Sequence, residues 1–210
     1  MSAREYFDRA AASWDETVGD AGLATLRDVL VSLNLPEGAD VLDWGAGTGL
    51  LLPIIAEIIG PHGSIVAVDA SAAMLHQAMS RCPIQDVRFV VADAAHTGLA
   101  SASFDAVLCI RAFPHFPDKA AALREAARLL RADGLVAIVH AASRDEVNAG
   151  HARMDAAVAH DTLPPQAEMA TLLRAAGFVA ISVRDEPGRY VASGRKAPRS
   201  WSREPGTHPQ

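Results

Sequence analysis

The chain has 210 residues, half of them apolar and only 21% charged, which is enough to bury one sizeable core and points to a single domain. A formal net charge of −6, with no Lys/Arg cluster before the tail, argues against a nucleic-acid partner, because phosphate binding needs a concentrated positive surface. Cys82 and Cys109 form no Cys-x-x-Cys pair, the first fourteen residues carry Arg4, Glu5, Asp8 and Arg9, and no apolar run is long enough for a span. A cytoplasmic setting without a disulfide framework, leader or membrane span is therefore expected.

In chain order, residues 2–35 read as two helices, Arg4 to Trp14 and Leu23 to Leu33, separated by Gly19 and Gly22 and without a strand partner. A strand signal, Val41 to Trp44, then runs into Gly45-Ala46-Gly47-Thr48-Gly49 and an apolar helix from Leu50 to Ile59. Alternating glycines let the backbone turn tightly and approach a ligand, while the following helix points unpaired N–H groups at it. The spacing is Gly-x-Gly-x-Gly, not the Gly-x-Gly-x-x-Gly of dinucleotide binders, and alone it is also compatible with a turn that holds nothing.

The next strand, Ser64 to Asp69, ends in a carboxylate 26 positions after Asp43. A third, Val87 to Ala92, ends in Asp93, and a fourth, Phe104 to Ile110, follows a loop containing Gly98. In a doubly wound sheet the ligand crosses the carboxyl ends of the strands, and an acid at the second strand's tip accepts ribose hydroxyl hydrogens. A glycine turn, an acid and an acid at three successive strand ends are more specific than any one of them.

Asp118 to Leu130 has the spacing of an amphipathic helix, which Asp133-Gly134 is expected to end before a fifth strand, Leu135 to Val139. Ser143-Arg144-Asp145-Glu146 is a capping box opening a helix on which Asn148 and His151 share a face, with Asp155 one turn further. Gln166 to Ala176 is a helix closed by Gly177, and Phe178 to Val183 with Arg189 to Gly194 form a hairpin around Pro187-Gly188. This alternation predicts an α/β sheet with helices on both faces and an antiparallel finish over residues 1–196, whereas 197–210, rich in proline and nearly without apolar residues, reads as a disordered tail.

Val41 to Gly49, Val66 to Asp69, Ala92-Asp93-Ala94 and Phe104-Asp105-Ala106-Val107 together resemble the successive motifs of the class I S-adenosylmethionine-dependent methyltransferases. The opening Tyr6-Phe7-Asp8…Ala11…Trp14-Asp15 and the segment Leu129 to Gly134 resemble the small-molecule branch that includes the quinone methyltransferases. The resemblance implies a Rossmann-like, doubly wound, seven-stranded sheet, mostly parallel, with S-adenosylmethionine as cofactor and a small-molecule acceptor. It places Asp43 and Gly45, Gly47 and Gly49 at the methionine portion, Asp69 at the ribose, and Asp93 with Ala94 at the adenine. It also brings Ala46, Thr48, Ala70, Met74, Ile110, Tyr6 and Trp14 into the cofactor-binding set. Residues 1–35 would lie over the cofactor, with Tyr6, Phe7 and Trp14 excluding water, although these aromatics are equally compatible with simple packing on the sheet.

Acceptor chemistry is expected at the tips of strands four and five. Arg111 is a departure from the family pattern; a guanidinium would repel a sulfonium and so should meet an acid, either the methionine carboxylate or a substrate anion. His115, His140, Asn148 and His151 form the candidate polar cap, against the alternative that they are solvated helix residues. Imidazole titrates near neutral pH and can serve as the base that a hydroxyl acceptor requires. The histidine spacings match no compact ligand motif, so no metal is expected, although zinc or iron on these histidines stays open as an alternative. Two other readings stay open at this point: a non-catalytic cofactor-binding module, and an enzyme using the same cofactor for other chemistry on an anionic or halogenated molecule.

Overall fold

Apolar side chains alternate between the two faces of the central strands, which is what two-sided burial requires. In the computed structural model, which describes residues 1–17, 19–82 and 87–198, β1 (Asp40–Trp44) sends Val41 to one core layer and Leu42 and Trp44 to the other. β4 (Phe104–Ile110) does the same with Ala106, Leu108 and Ile110 against Val107 and Cys109. With β2 (Ser64–Asp69), β3 (Val87–Val91), β5 (Leu130–His140), β6 (Phe178–Glu186) and β7 (Arg189–Lys196), these strands form one seven-stranded sheet of order β3-β2-β1-β4-β5-β7-β6. The first five strands are parallel, and β7 runs antiparallel to both β5 and β6.

Helices cover both faces. Leu26, Val29 and Leu30 of α2 (Asp20–Ser32), Leu52, Ile55 and Ile59 of α3 (Leu52–Ile59) and Leu75 of α4 (Ala72–Arg81) pack on one face. Leu123, Ala126 and Leu129 of α5 (Lys119–Leu129) and Met169 and Leu173 of α7 (Gln166–Ala175) pack on the other. α1 (Ala3–Ala10), capped reciprocally by Ser2 and Glu5, buries no residue fully, and α6 (Arg144–His151) buries only Val147. No helix among the described residues is long and apolar enough to cross a membrane.

Several boundaries differ from the sequence expectation. The first helix stops at Ala10, and Trp14 begins a separate 3₁₀ turn, Trp14–Thr17. The glycine-turn helix starts at Leu52 rather than Leu50, with Pro53 in its first turn, where a missing N–H costs nothing. α4 carried no signal strong enough to be expected; Ser71 caps it, accepting from Met74 N at 3.1 Å.

Asp133-Gly134 does not end a helix. α5 ends at Leu129 and β5 begins at once, pairing Leu130 with Phe104 and resuming at Leu135 opposite Ala106 after an irregularity that Asp133 spans at φ 61°. The capping box at Ser143 forms as expected, but α6 ends at His151, so Asp155 lies beyond it. Both hairpin strands are longer than the hydrophobic pattern suggested and are joined across Pro187-Gly188, with Gly188 at φ 73°. The tail expected over 197–210 lies, from residue 199, outside the described residues.

Candidate active site

Strand order reverses between β2-β1 and β4-β5, and a crevice outside the carboxyl ends of the strands at such a switch point is where open α/β sheets bind ligands. Here it is a cavity of about 480 Å³, walled by the glycine turn, the tips of β2, β3 and β4, and residues of the N-terminal segment between Ser2 and Asp15. Of the residues expected to hold a cofactor, Asp43, Gly45, Ala46, Gly47, Thr48, Asp69, Ala70, Met74, Asp93, Ala94, Ile110 and Trp14 all line it. Tyr6 and Gly49 do not. Tyr6 packs edge-on against Phe7 at 5.3 Å, and Phe7 is the residue that reaches the cavity.

The three glycines have three different surroundings. A Cβ on Gly45 would fall 2.3 Å from Ala112 Cβ, so this position lets the chain after β4 close on the turn. A Cβ on Gly49 would meet Ala78 and Leu52 at 2.8 Å, which makes it a packing position against α4. Gly47, at φ 54°, has nothing within 4 Å of that direction and faces the cavity. Its N–H donates to Asp69 Oδ2 at 2.9 Å, and Ser71 N donates to Asp69 Oδ1 at 2.8 Å, so the acid at the tip of β2 is fixed by backbone on both oxygens.

Asp43 is only 3% exposed, and burial, then the neighbouring Asp69 charge, raises its pKa to about 7. Burial also raises that of Asp69, against the two backbone donors that favour its charge. Trp44, fully buried, donates its indole N–H to Ala94 O at 3.1 Å and packs on Phe116 at 4.7 Å, tying β1 to the loop after β3. A buried carboxylate that a cation would ionise, an open glycine and apolar walls from Met74, Val91 and Ile110 together fit S-adenosylmethionine.

The N-terminal segment is latched to this floor by polar contacts. Ser71 Oγ donates to Asp8 Oδ1 at 2.5 Å, Thr48 Oγ1 donates to Asp15, and Arg81 pairs with the same Asp15 carboxylate. Phe7 stands edge-on to Trp14 at 5.2 Å and to His115 at 4.8 Å. Asp8, Asp15 and Ser71 were not assigned roles from sequence, because nothing in a periodicity shows contacts across 33 to 66 positions.

The proposed polar cap divides. His115 and Arg111 line the cavity; His140, Asn148 and His151 do not. His115 Nδ1 is 2.8 Å from Asp161 Oδ2, so Nδ1–H donates to the carboxylate and the Nε2 lone pair is left for other use. His151 packs against it with ring centroids 4.7 Å apart and planes tilted by 40°, its Nδ1 donating to Asp161 O at 2.6 Å. Asn148 is spent on the backbone of Leu163: Nδ2 donates to its carbonyl at 3.2 Å and Oδ1 accepts its N–H at 2.8 Å.

His140 is 4% exposed, since the pairing of β5 with β7 sets it opposite Tyr190 and turns it into the core. Its Nε2 and the Tyr190 hydroxyl make no hydrogen bond, and burial first, then Arg111, His115 and His151, depress the imidazole pKa to about 3. Arg111 sits at φ 62°, its guanidinium 5.9 Å over the Trp14 ring. A non-glycine residue held in the left-handed region at a strand tip is strain of the kind found at functional sites. Asp161 is the partner that sequence reasoning missed; it lies 46 positions from His115 in an irregular loop. Among the described residues no three His, Cys, Asp or Glu side chains are grouped to hold a metal ion.

Residues 42–138 match a family described as a methyltransferase domain. The chain is 28% identical to nocamycin O-methyltransferase of Saccharothrix syringae, over 93% of this chain and 79% of that protein. It is 33% identical to demethylmenaquinone methyltransferase of Thermotoga maritima over 65% of this chain, and spans 60% of that relative. Among solved structures, a SAM-dependent methyltransferase from Aquifex aeolicus superposes with a TM-score of 0.70 at 18% identity, covering 93% of this chain and 99% of that one.

Proposed function

We propose that the chain is a class I S-adenosylmethionine-dependent methyltransferase, as its methyltransferase-domain match and relatives support, and that it methylates an oxygen of a small molecule, with His115 as the base. S-adenosylmethionine supplies a methyl group on a sulfonium sulfur, which keeps the S–C electron pair as the acceptor bonds the methyl carbon. The protein's own share is to bind, orient, exclude water and take a proton.

In this reading Asp43 and the glycine turn receive the methionine portion, Asp69 with Ala70 the ribose, and Asp93, Ala94 and Met74 the adenine side. Ile110 and Trp14 close the apolar wall. Residues 1–196 act as one domain in which the first 35 residues form the cover, the aromatic face of Phe7 and Trp14 excluding water. That segment's contacts with the floor through Asp8 and Asp15 support this role.

The observation that carries the assignment is the His115–Asp161 pair on the cavity wall. The carboxylate fixes the Nδ1–H tautomer and stabilises the imidazolium that forms when Nε2 takes the acceptor's hydroxyl proton. His151, held by the carbonyl of the same residue, supports the ring from behind. The test is His115→Gln beside Asp161→Asn: both should bind S-adenosylhomocysteine as wild type does, with turnover reduced about 100-fold or more. Full turnover in both variants would remove the base from the scheme.

A further inference from the structure

The cavity is acidic at the glycine turn and carries a permanent cation, Arg111, at the tip of β4. The glycine-turn end holds Asp15, Asp69 and Asp93 with the buried Asp43; Arg4 also lines it, and Arg81 pairs with Asp15. At the tip of β4 Arg111 and His115 line the cavity side by side, and His115 Nδ1 is engaged by the Asp161 carboxylate.

The wall here is also aromatic: Phe7 stands edge-on between Trp14 and His115, and the Arg111 guanidinium lies over the Trp14 ring. Such a corner suits a planar conjugated ligand at its face and an oxyanion at its edge. An ammonium there would be repelled by a cation that never deprotonates.

We propose that the acceptor is a phenol or enol on a planar conjugated framework, bound as an oxygen acid, and that Arg111 selects it by donating hydrogen bonds to its developing oxyanion. This rests on the methyl-transfer reading above. The O–H bond of the acceptor breaks, its proton passes to Nε2 of His115, and the electron pair stays on oxygen beside the guanidinium. The five N–H donors of an arginine can serve this oxygen in addition to any other partner.

The experiment uses the full chain saturated with S-adenosylhomocysteine and reads binding by calorimetry, with 4-nitrophenolate, the uncharged nitrobenzene and 4-nitrobenzylammonium as probes. The phenolate should bind at least ~10-fold more tightly than nitrobenzene, the ammonium more weakly than either, with tenfold corresponding to about 1.4 kcal/mol. Arg111→Gln should bring the phenolate down to the nitrobenzene level, and Arg111→Lys should keep part of the preference. Equal binding of the three probes, or preference for the ammonium, overturns the proposal. So does a loss of S-adenosylhomocysteine affinity in a folded Arg111→Gln protein, which would put the guanidinium on the cofactor. Wild-type protein that fails to bind S-adenosylhomocysteine at all would instead defeat the methyl-transfer reading, methylation of amines alone would defeat the oxygen acceptor proposed above along with this inference, and methylation of aliphatic alcohols but not phenols would defeat only this inference.

Discussion

The backbone N–H of Gly47 donates to Asp69 Oδ2 at 2.9 Å, so the glycine turn after β1 and the acid at the tip of β2 form one hydrogen-bonded unit. Each constrains the other. The carboxylate holds the turn in its left-handed conformation, and the turn, with Ser71 N, holds the carboxylate in place.

Asp69→Ala is therefore expected to weaken S-adenosylhomocysteine binding by about 1.5–3 kcal/mol, through loss of a charged acceptor and of the two bonds that set the turn. Titration calorimetry on a protein whose circular dichroism is unchanged measures it. A wild-type dissociation constant in that variant would show that Asp69 serves the backbone alone.

Gly47 and Gly49 should fail in different ways. Gly49→Val drives a side chain into Ala78 and Leu52 and should lower Tm by several degrees, with an insoluble product as the extreme. Gly47→Val puts its side chain into the cavity, so binding should disappear from a protein that still unfolds cooperatively, at a stability cost of about 1–2 kcal/mol for the positive φ. Retained affinity in Gly47→Val would mean that the turn is structural only.

Cofactor affinity should rise with pH across neutrality. Asp43 keeps its proton up to about pH 7 because it is buried beside Asp69, and a cationic ligand favours the ionised form. Binding then releases a proton below and near pH 7. Calorimetry of S-adenosylmethionine in two buffers of different ionisation enthalpy reads this directly: a buffer-dependent heat that vanishes in Asp43→Asn is expected, and a buffer-independent wild type would contradict it.

His140 should make the fold acid-sensitive. Its folded pKa of about 3 lies below the ordinary 6.5, so its contribution is fully present above pH 6.5 and is lost as pH falls from there toward 3. The loss is on the order of a few kcal/mol. Asp43, with a raised pKa, works in the opposite sense: its contribution is present below pH 4 and lost as pH rises through about 7. In thermal melts at pH 7 and pH 4.5, His140→Leu should narrow the gap between the two Tm values, while leaving S-adenosylhomocysteine binding at pH 7 unchanged because the residue does not touch the cavity. An unchanged gap would mean that His140 is not the titrating group.

What the sequence determined by itself is local and periodic. The glycine turn, the acids at three strand ends, the cap at Ser143 and the alternation along β1, β2 and β4 are all written in neighbouring residues, because strand period, turn chemistry and capping act over a few positions. These features were enough to expect a ligand at the carboxyl ends of the strands, where the structure has a cavity. The irregular run through Asp133-Gly134 escaped, since a bulge follows from pairing with β4 and not from residue type alone. The acceptor end was decided only in three dimensions. His140 turns inward because β7 pairs antiparallel with β5, and Asn148 is taken by Leu163. His115 becomes a candidate base because a loop 46 positions away brings Asp161 within 2.8 Å. Hydrogen bonds between residues so far apart depend on how the helices and loops pack on the sheet, and no local pattern encodes that packing.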